Sequence, residues 1–150
     1  MVLSDFVRPS DVHLDLRGGT RDEILTELVT SLALPAEESA LLLKILHRRE
    51  QLGSTGIGRG VAVPHCRTPL VDRLRVVYGR RAGGIAYDAV DGQPVSHFFL
   101  LLAPPIEVSN DYLPVLGRIA QLVKEPDVPE RLAAVRSADE FLALLEQKGV

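Results

Sequence analysis

A histidine at position 65 stands in Val61-Ala62-Val63-Pro64-His65-Cys66, directly behind Leu52-Gly53-Ser54-Thr55-Gly56-Ile57-Gly58-Arg59-Gly60, where four of nine residues are glycine. Glycines let a backbone adopt positive φ and come close to a ligand. Consecutive N–H groups in such a loop can cradle an anion. Ser54 and Thr55 add hydroxyl donors, and Arg49, Arg59 and Arg67 lie near enough in sequence to hold a phosphate. A histidine is partly neutral at cellular pH, because its ordinary pKa is about 6.5. One ring nitrogen then offers a lone pair as nucleophile, and the other needs an acceptor to fix the ring. A phosphoryl group arriving on that lone pair needs donors around its oxygens. The residue types therefore point to phosphoryl acceptance at His65, with the bland alternative that a lone histidine is structural.

Other chemistries fit less well. Gly56-Ile57-Gly58-Arg59-Gly60 lacks the spacing of a dinucleotide fingerprint and follows a helical pattern rather than a strand. His65 and Cys66 are adjacent and no second cysteine exists, which does not suit zinc. Cys66 is either a nucleophile or a small residue filling space beside His65, the second being the simpler reading. His97 shares a strand face with Val95 and Phe99 by alternation, and is either packed there or a second functional histidine. His13 and His47 read as surface residues.

These side chains need elements to hold them. His13-Leu14-Asp15-Leu16 alternates as a short strand. Thr20 and Glu23 form a capping box that opens a helix with Ile24, Leu25, Leu28, Val29 and Leu32 on one face. Pro35 opens a second helix, with Leu41, Leu42, Ile45 and Leu46 as the expected buried stripe and Arg48 and Arg49 near its end. A short strand over residues 61–63 is stopped by Pro64, so that His65 sits where a strand meets a loop. Further strands are expected over residues 74–78 and 95–103. A helix over residues 112–123 should bury Leu113, Leu116, Ala120 and Val123, and two short helices follow, the last capped by Ser137. Strands and helices intermingle along the chain, which predicts an α/β sandwich with helices on both faces of a mostly buried sheet.

Composition sets the outer limits. The chain has 150 residues, 46% of them hydrophobic and 25% charged, enough for one core and one domain over residues 1–150. A net charge of −3 and the lack of a basic run argue against nucleic acid as partner. No stretch approaches the roughly 20 apolar residues that span a bilayer, and the first residues have no signal-peptide pattern. A single cysteine allows no internal disulfide, so the cytoplasm is the expected location and no membrane insertion is expected.

Taken together, Arg49-Glu50, Gly53-Ser54-Thr55-Gly56-Ile57-Gly58 and Gly60-Val61-Ala62-Val63-Pro64-His65 closely resemble the signature of type-2 enzyme IIA domains of the phosphoenolpyruvate-dependent sugar phosphotransferase system, the fructose/mannitol branch. Leu3-Ser4-Asp5-Phe6, Leu14-Asp15-Leu16, Asp91-Gly92-Gln93-Pro94-Val95 and the helix from Leu113 fit as well. The resemblance implies a three-layer sandwich around a mixed sheet of about five strands. It implies that His65 accepts a phosphoryl group from the phosphohistidine of the carrier protein HPr and relays it to an enzyme IIB partner, or signals with it to a regulatory protein. The N-terminal pattern looks most like the nitrogen-regulatory subgroup. It implies supporting roles for Arg49, Ser54, Thr55, Gly56, Arg59 and Tyr112, and no cofactor or metal.

Three positions depart from the family pattern. Asn is frequent where this chain has Arg59, and Gly is frequent where it has Cys66. A His-Leu pair usually opens the helix after the apolar strand, and here the pair is Tyr112-Leu113. Tyr112 donates a hydrogen bond but carries no positive charge. The alternative to a working phosphocarrier is therefore a non-catalytic regulatory binding module that keeps the fold with impaired transfer.

Overall fold

A computed structural model describes residues 2–107 and 110–150 of the chain. After two short 3₁₀ turns, Leu3–Phe6 and Pro9–Asp11, the elements run β1 (Val12–His13), α1 (Arg21–Thr30), α2 (Ala36–Gln51), β2 (Gly56–Gly58), β3 (Val61–Ala62), β4 (His65–Arg67), β5 (Arg75–Ile85), β6 (Val95–Ala103), α3 (Tyr112–Lys124), α4 (Val128–Ala134) and α5 (Ala138–Gln147). The sheet order is β1-β5-β6-β3-β2, with β4 also paired to β6. β5 and β6 are antiparallel, while β1 runs parallel to β5, and β3 and β4 run parallel to β6. The mixed α/β sandwich is as expected.

The sixth strand has a local cause. Val61 and Ala62 pair with His97 and Phe98, and His65 to Arg67 pair with Leu101 to Ala103 along the same edge of β6. Pro64 interrupts the ladder because it has no N–H. Its carbonyl still accepts from the Leu101 N–H at 2.9 Å, so pairing resumes on its far side. His65 therefore lies at the start of a strand, not in the loop expected after residue 63.

Alternation along the strands separates two cores. Val61, Val63, Tyr78, Phe99 and Leu101 face α3, α4 and α5. Ala62, Cys66, Val77, Phe98, Leu100 and Leu102 face α1 and α2. Thr20 caps α1 by accepting from the Glu23 N–H, and Ser137 caps α5 by accepting from the Glu140 N–H, both as the capping boxes predict.

Two expected helix faces shift. In α3 the buried residues are Val115, Ile119, Leu122 and Val123, while Leu113 is 66% exposed. The buried face of α3 is set by Val115, Ile119 and Leu122, with Tyr112 and Leu116 partly buried beside it, and Leu113 falls on the outward side. In α2 the buried positions are Leu42, Leu46 and Glu50, and Leu41 is exposed. Among the described residues, no helix is long and apolar enough to cross a membrane.

Candidate functional site

His65 is half-buried, and two neighbours decide its proton arrangement. Its Nδ1 lies 2.7 Å from the Val63 carbonyl oxygen. A carbonyl only accepts, so Nδ1 carries the hydrogen. Its Nε2 lies 3.3 Å from the Nε of Arg49. An arginine only donates, so Nε2 presents its lone pair. Burial lowers the pKa of the ring, and the Arg49 charge lowers it further, while the Val63 carbonyl and the Glu50 carboxylate oppose them. The net direction favours the neutral imidazole with its nucleophilic nitrogen at Nε2.

Arg49 comes from the last turn of α2, where a cation is favoured by the helix dipole. Its Nη1 donates to the Gly53 carbonyl at 2.8 Å, which ties the guanidinium to the loop. Beside it, Glu50 is only 3% exposed. The Glu50 carboxylate accepts from the Thr55 N–H at 2.8 Å, the Thr55 hydroxyl at 2.6 Å and the Tyr87 hydroxyl at 3.1 Å. Burial and the Glu50 charge hold the Tyr87 phenol protonated and donating.

The loop residues expected around a phosphate are spent on the loop itself. Thr55 faces Glu50 and is buried. The Ser54 hydroxyl donates to the Tyr87 carbonyl at 2.7 Å and accepts from the Gly56 N–H at 3.0 Å. Gly56 is required by space: a Cβ there would lie 2.7 Å from that of Ala89. Ser54, Thr55 and Gly56 thus shape the ground on which Arg49 and His65 stand, and the structure does not turn their donors toward the histidine.

Arg59 is not brought to the site. It occupies the β2–β3 turn with φ +58°, the left-handed region that Asn tolerates well. Its N–H donates to Asp91 at 3.0 Å, and its guanidinium reaches the Lys124 carbonyl at the C-terminal end of α3. The 13 residues of α3, about 20 Å of helix, separate that end from Tyr112.

Tyr112 does meet His65: the ring centroids are 5.3 Å apart and tilted by 56°. The guanidinium of Arg67 lies 5.3 Å from the centroid of the same tyrosine. Arg67 was expected only as one of three nearby arginines. Glu50 and Tyr87 escaped sequence reasoning as parts of the site, because a buried carboxylate shared between a helix end and a distant loop leaves no local pattern.

The remaining expectations resolve simply. Cys66 points away from His65 into the α1/α2 core, and burial pushes its thiol up to about 12, so it fills space. His97 is buried with Nδ1 2.8 Å from the Tyr78 hydroxyl, and its strand position pairs with Val61, four residues before His65. It is a packed histidine and does not replace the family's second one. His47 contacts Asp22 at 3.1 Å. No group of three or more His, Cys, Asp or Glu side chains among the described residues could hold a metal ion.

The chain thus presents an oriented imidazole beside an arginine on a mixed α/β sandwich. The family model "Phosphoenolpyruvate-dependent sugar phosphotransferase system, EIIA 2" matches residues 5–148, and the chain belongs to that family. It is 34% identical over 146 residues to the nitrogen regulatory protein of Bradyrhizobium diazoefficiens, covering 97% of this chain and 95% of that one. The crystal structure of the nitrogen regulatory protein IIA-Ntr from Neisseria meningitidis matches with a TM-score of 0.84 and 33% identity, over 95% of this chain and 98% of that one. The Escherichia coli complex of mannitol enzyme IIA with phosphorylated enzyme IIB matches in fold, with a TM-score of 0.73 and 21% identity over 94% of this chain and 99% of that one. Domains of this family are components of the phosphotransferase system, acting by phosphocarrier relay or in nitrogen-type regulation.

Proposed function

We propose that His65 accepts a phosphoryl group on Nε2 from the phosphohistidine of an HPr-like carrier protein, in one domain spanning residues 1–150. It then passes the group to an enzyme IIB-type or regulatory partner in the cytoplasm. The observation that carries this reading is the locked tautomer: Val63 holds the proton on Nδ1, and the lone pair on Nε2 faces the Arg49 guanidinium. In the transfer, the P–N bond of the donor breaks and its electron pair stays on the donor nitrogen. The lone pair of His65 Nε2 forms the new P–N bond. The Arg49 guanidinium exchanges its weak 3.3 Å contact with Nε2 for the incoming phosphoryl oxygens, whose charge it offsets.

The Val63 carbonyl also favours onward transfer. It keeps the Nδ1 proton on the phosphorylated ring, which makes that ring positively charged and a better leaving group. A protein donor fits the surroundings. Leu52, Ile106 and Leu113 are 81%, 61% and 66% exposed, and they belong to the segments that carry Arg49, the anchors of Arg67, and Tyr112. Apolar side chains around a charged centre suit a protein surface better than a small phosphate donor.

Incubation with phosphoenolpyruvate, enzyme I and the charged carrier should place an acid-labile phosphate on His65, and His65→Ala should take none. Absence of label from the native chain, with the carrier shown to be charged, overturns the reading. A second reading, a regulatory module that binds partners without efficient relay, is favoured by Tyr112 in place of a histidine. It predicts full labelling of His65 with retention of the phosphate when an enzyme IIB domain is added.

A further inference from the structure

We propose that Arg67 is a second phosphoryl-binding cation of this site, held against Tyr112 so that the phosphoryl group on His65 lies between two guanidinium groups. The inference rests on phosphorylation at His65. It begins with the strand: β4 pairs residue for residue with β6, so His65 and Arg67 project from the same face and Cys66 from the other. Arg67 and His65 each approach Tyr112, with the guanidinium carbon and the imidazole centroid both 5.3 Å from the tyrosine centroid. The position of Arg67 is tied to the same segment as Tyr112. Its Nη1 donates to the Pro104 carbonyl at 2.8 Å, and its Nη2 to the Asn110 side-chain oxygen at 3.3 Å.

Arg49 reaches the same histidine from the last turn of α2, with its Nε 3.3 Å from His65 Nε2. Burial raises the Tyr112 phenol, while the charges of both Arg49 and Arg67 lower it, and the Arg67 guanidinium lies over its ring. The other charged groups nearby are Glu50, turned inward to Thr55 and Tyr87, and Asp111, next to Tyr112 in the chain. A phosphoryl group on nitrogen carries close to two negative charges at neutral pH, and Arg49 offsets one. Tyr112 cannot offset the other. An arginine can, through its permanent charge and a charge-assisted hydrogen bond. Packing against an aromatic face helps to keep such a side chain in place.

The test compares the native chain with Arg67→Gln and Arg67→Lys, phosphorylated both by the charged carrier and by phosphoramidate, a small donor that needs no protein partner. Two quantities are read: the equilibrium constant for phosphorylation by the carrier, and the pH at which the ³¹P resonance of phospho-His65 titrates. Arg67→Gln should lower the equilibrium constant about ten- to a hundredfold, the size of one charge-assisted hydrogen bond. It should also move the ³¹P midpoint to higher pH, because the dianion loses a cation. Arg67→Lys should recover part of both effects. An unmoved midpoint, with an equilibrium constant within twofold of native, overturns the proposal. Should Arg67→Gln fold poorly, Tyr112→Leu removes the platform and keeps the charge. A smaller shift in the same direction is then expected, and none is the refuting result. Labelling of the native chain by phosphoramidate but not by the carrier would reject the donor assignment and leave the role of Arg67 readable from the ³¹P titration.

Discussion

Removing the Glu50 carboxylate should weaken the fold and the site by separable amounts. In Glu50→Ala, the Thr55 N–H, the Thr55 hydroxyl and the Tyr87 hydroxyl lose the acceptor they share, at 2.8, 2.6 and 3.1 Å. Thr55 and Tyr87 are 4% and 2% exposed, so water does not readily replace it. An orphaned buried donor costs about 1–3 kcal/mol. The two hydroxyls can turn to other acceptors, whereas the backbone N–H cannot. A loss of at least about 1–3 kcal/mol follows from the N–H alone, a sizeable part of the roughly 5–15 kcal/mol that holds a domain together. Glu50→Gln keeps one carbonyl oxygen for the Thr55 N–H and offers its amide to a rotated hydroxyl, so it should cost only about 1–2 kcal/mol. Both variants delete the charge that raises the His65 pKa. The ring should then titrate at a lower pH than in the native chain, and the acid limb of phosphoryl acceptance should move down with it. Urea unfolding measures the first effect, and NMR titration of the His65 ring nitrogens measures the second. A Glu50→Ala protein within 1 kcal/mol of native, or a Glu50→Gln protein whose His65 titrates higher, would refute this account.

Other substitutions probe the rest of the frame. Arg59→Asn should leave phosphorylation of His65 unchanged, since Arg59 spends its side chain on the far end of α3, and its stability should stay within about 0.5 kcal/mol because Asn tolerates the positive φ; a tenfold loss of labelling would return Arg59 to the site. Asp11 is 1% exposed and bonds Arg75 through both oxygens at 2.8 and 2.7 Å, so Asp11→Ala should lower unfolding free energy by about 2–4 kcal/mol in a urea melt. Burial raises the Asp11 pKa, but the hydrogen bonds and charge of Arg75, with help from Arg8, bring it below the ordinary value. Its stabilisation is therefore present above the ordinary carboxylate range and is lost as pH falls through the lower folded value. His97 adds a loss of the same sign at higher pH, because its pKa is held down to about 4 first by burial and then by the Arg80 charge. Between pH 6.5 and about 4 the unfolded chain binds this proton and the folded chain does not, so stability should fall by up to about 3 kcal/mol across that window. Urea midpoints flat from pH 7 to 4.5 would contradict it.

What could be read from the sequence was local. The caps at Thr20 and Ser137 and the apolar run of β6 need only neighbours in the chain to be recognised, and they stand where expected. His65 stood out as a candidate because a glycine-rich loop and a histidine lie within one short segment, and the longer resemblance around it pointed to phosphorylation. What could not be read depends on long-range pairing. Pro64 ends a strand by any local rule, yet its carbonyl pairs with Leu101, and the strand that resumes puts His65 and Arg67 on one face. Ser54 and Thr55 look like phosphate donors until Tyr87 and Glu50, far apart in sequence, claim their hydroxyls. Arg59 looks like a neighbour of His65 until the β2–β3 hairpin carries it to the other end of α3.

The site therefore divides its work around one ring. The Val63 carbonyl and the Arg49 guanidinium fix which nitrogen is free, using contacts that exist before any phosphate arrives. Tyr112 lies against the same ring, with centroids 5.3 Å apart, in a position where a histidine would change charge with pH. A phenol raised by burial does not ionise near neutrality, so this neighbour keeps one charge state across the range in which His65 must be neutral to react. The positive charge acting on Tyr112 comes from Arg49 and Arg67, and neither depends on pH in this range. His65 is then the group whose neutral form the transfer needs. Its lowered pKa, brought down first by burial and then by Arg49, should move the acid limit of acceptance below that of an ordinary histidine.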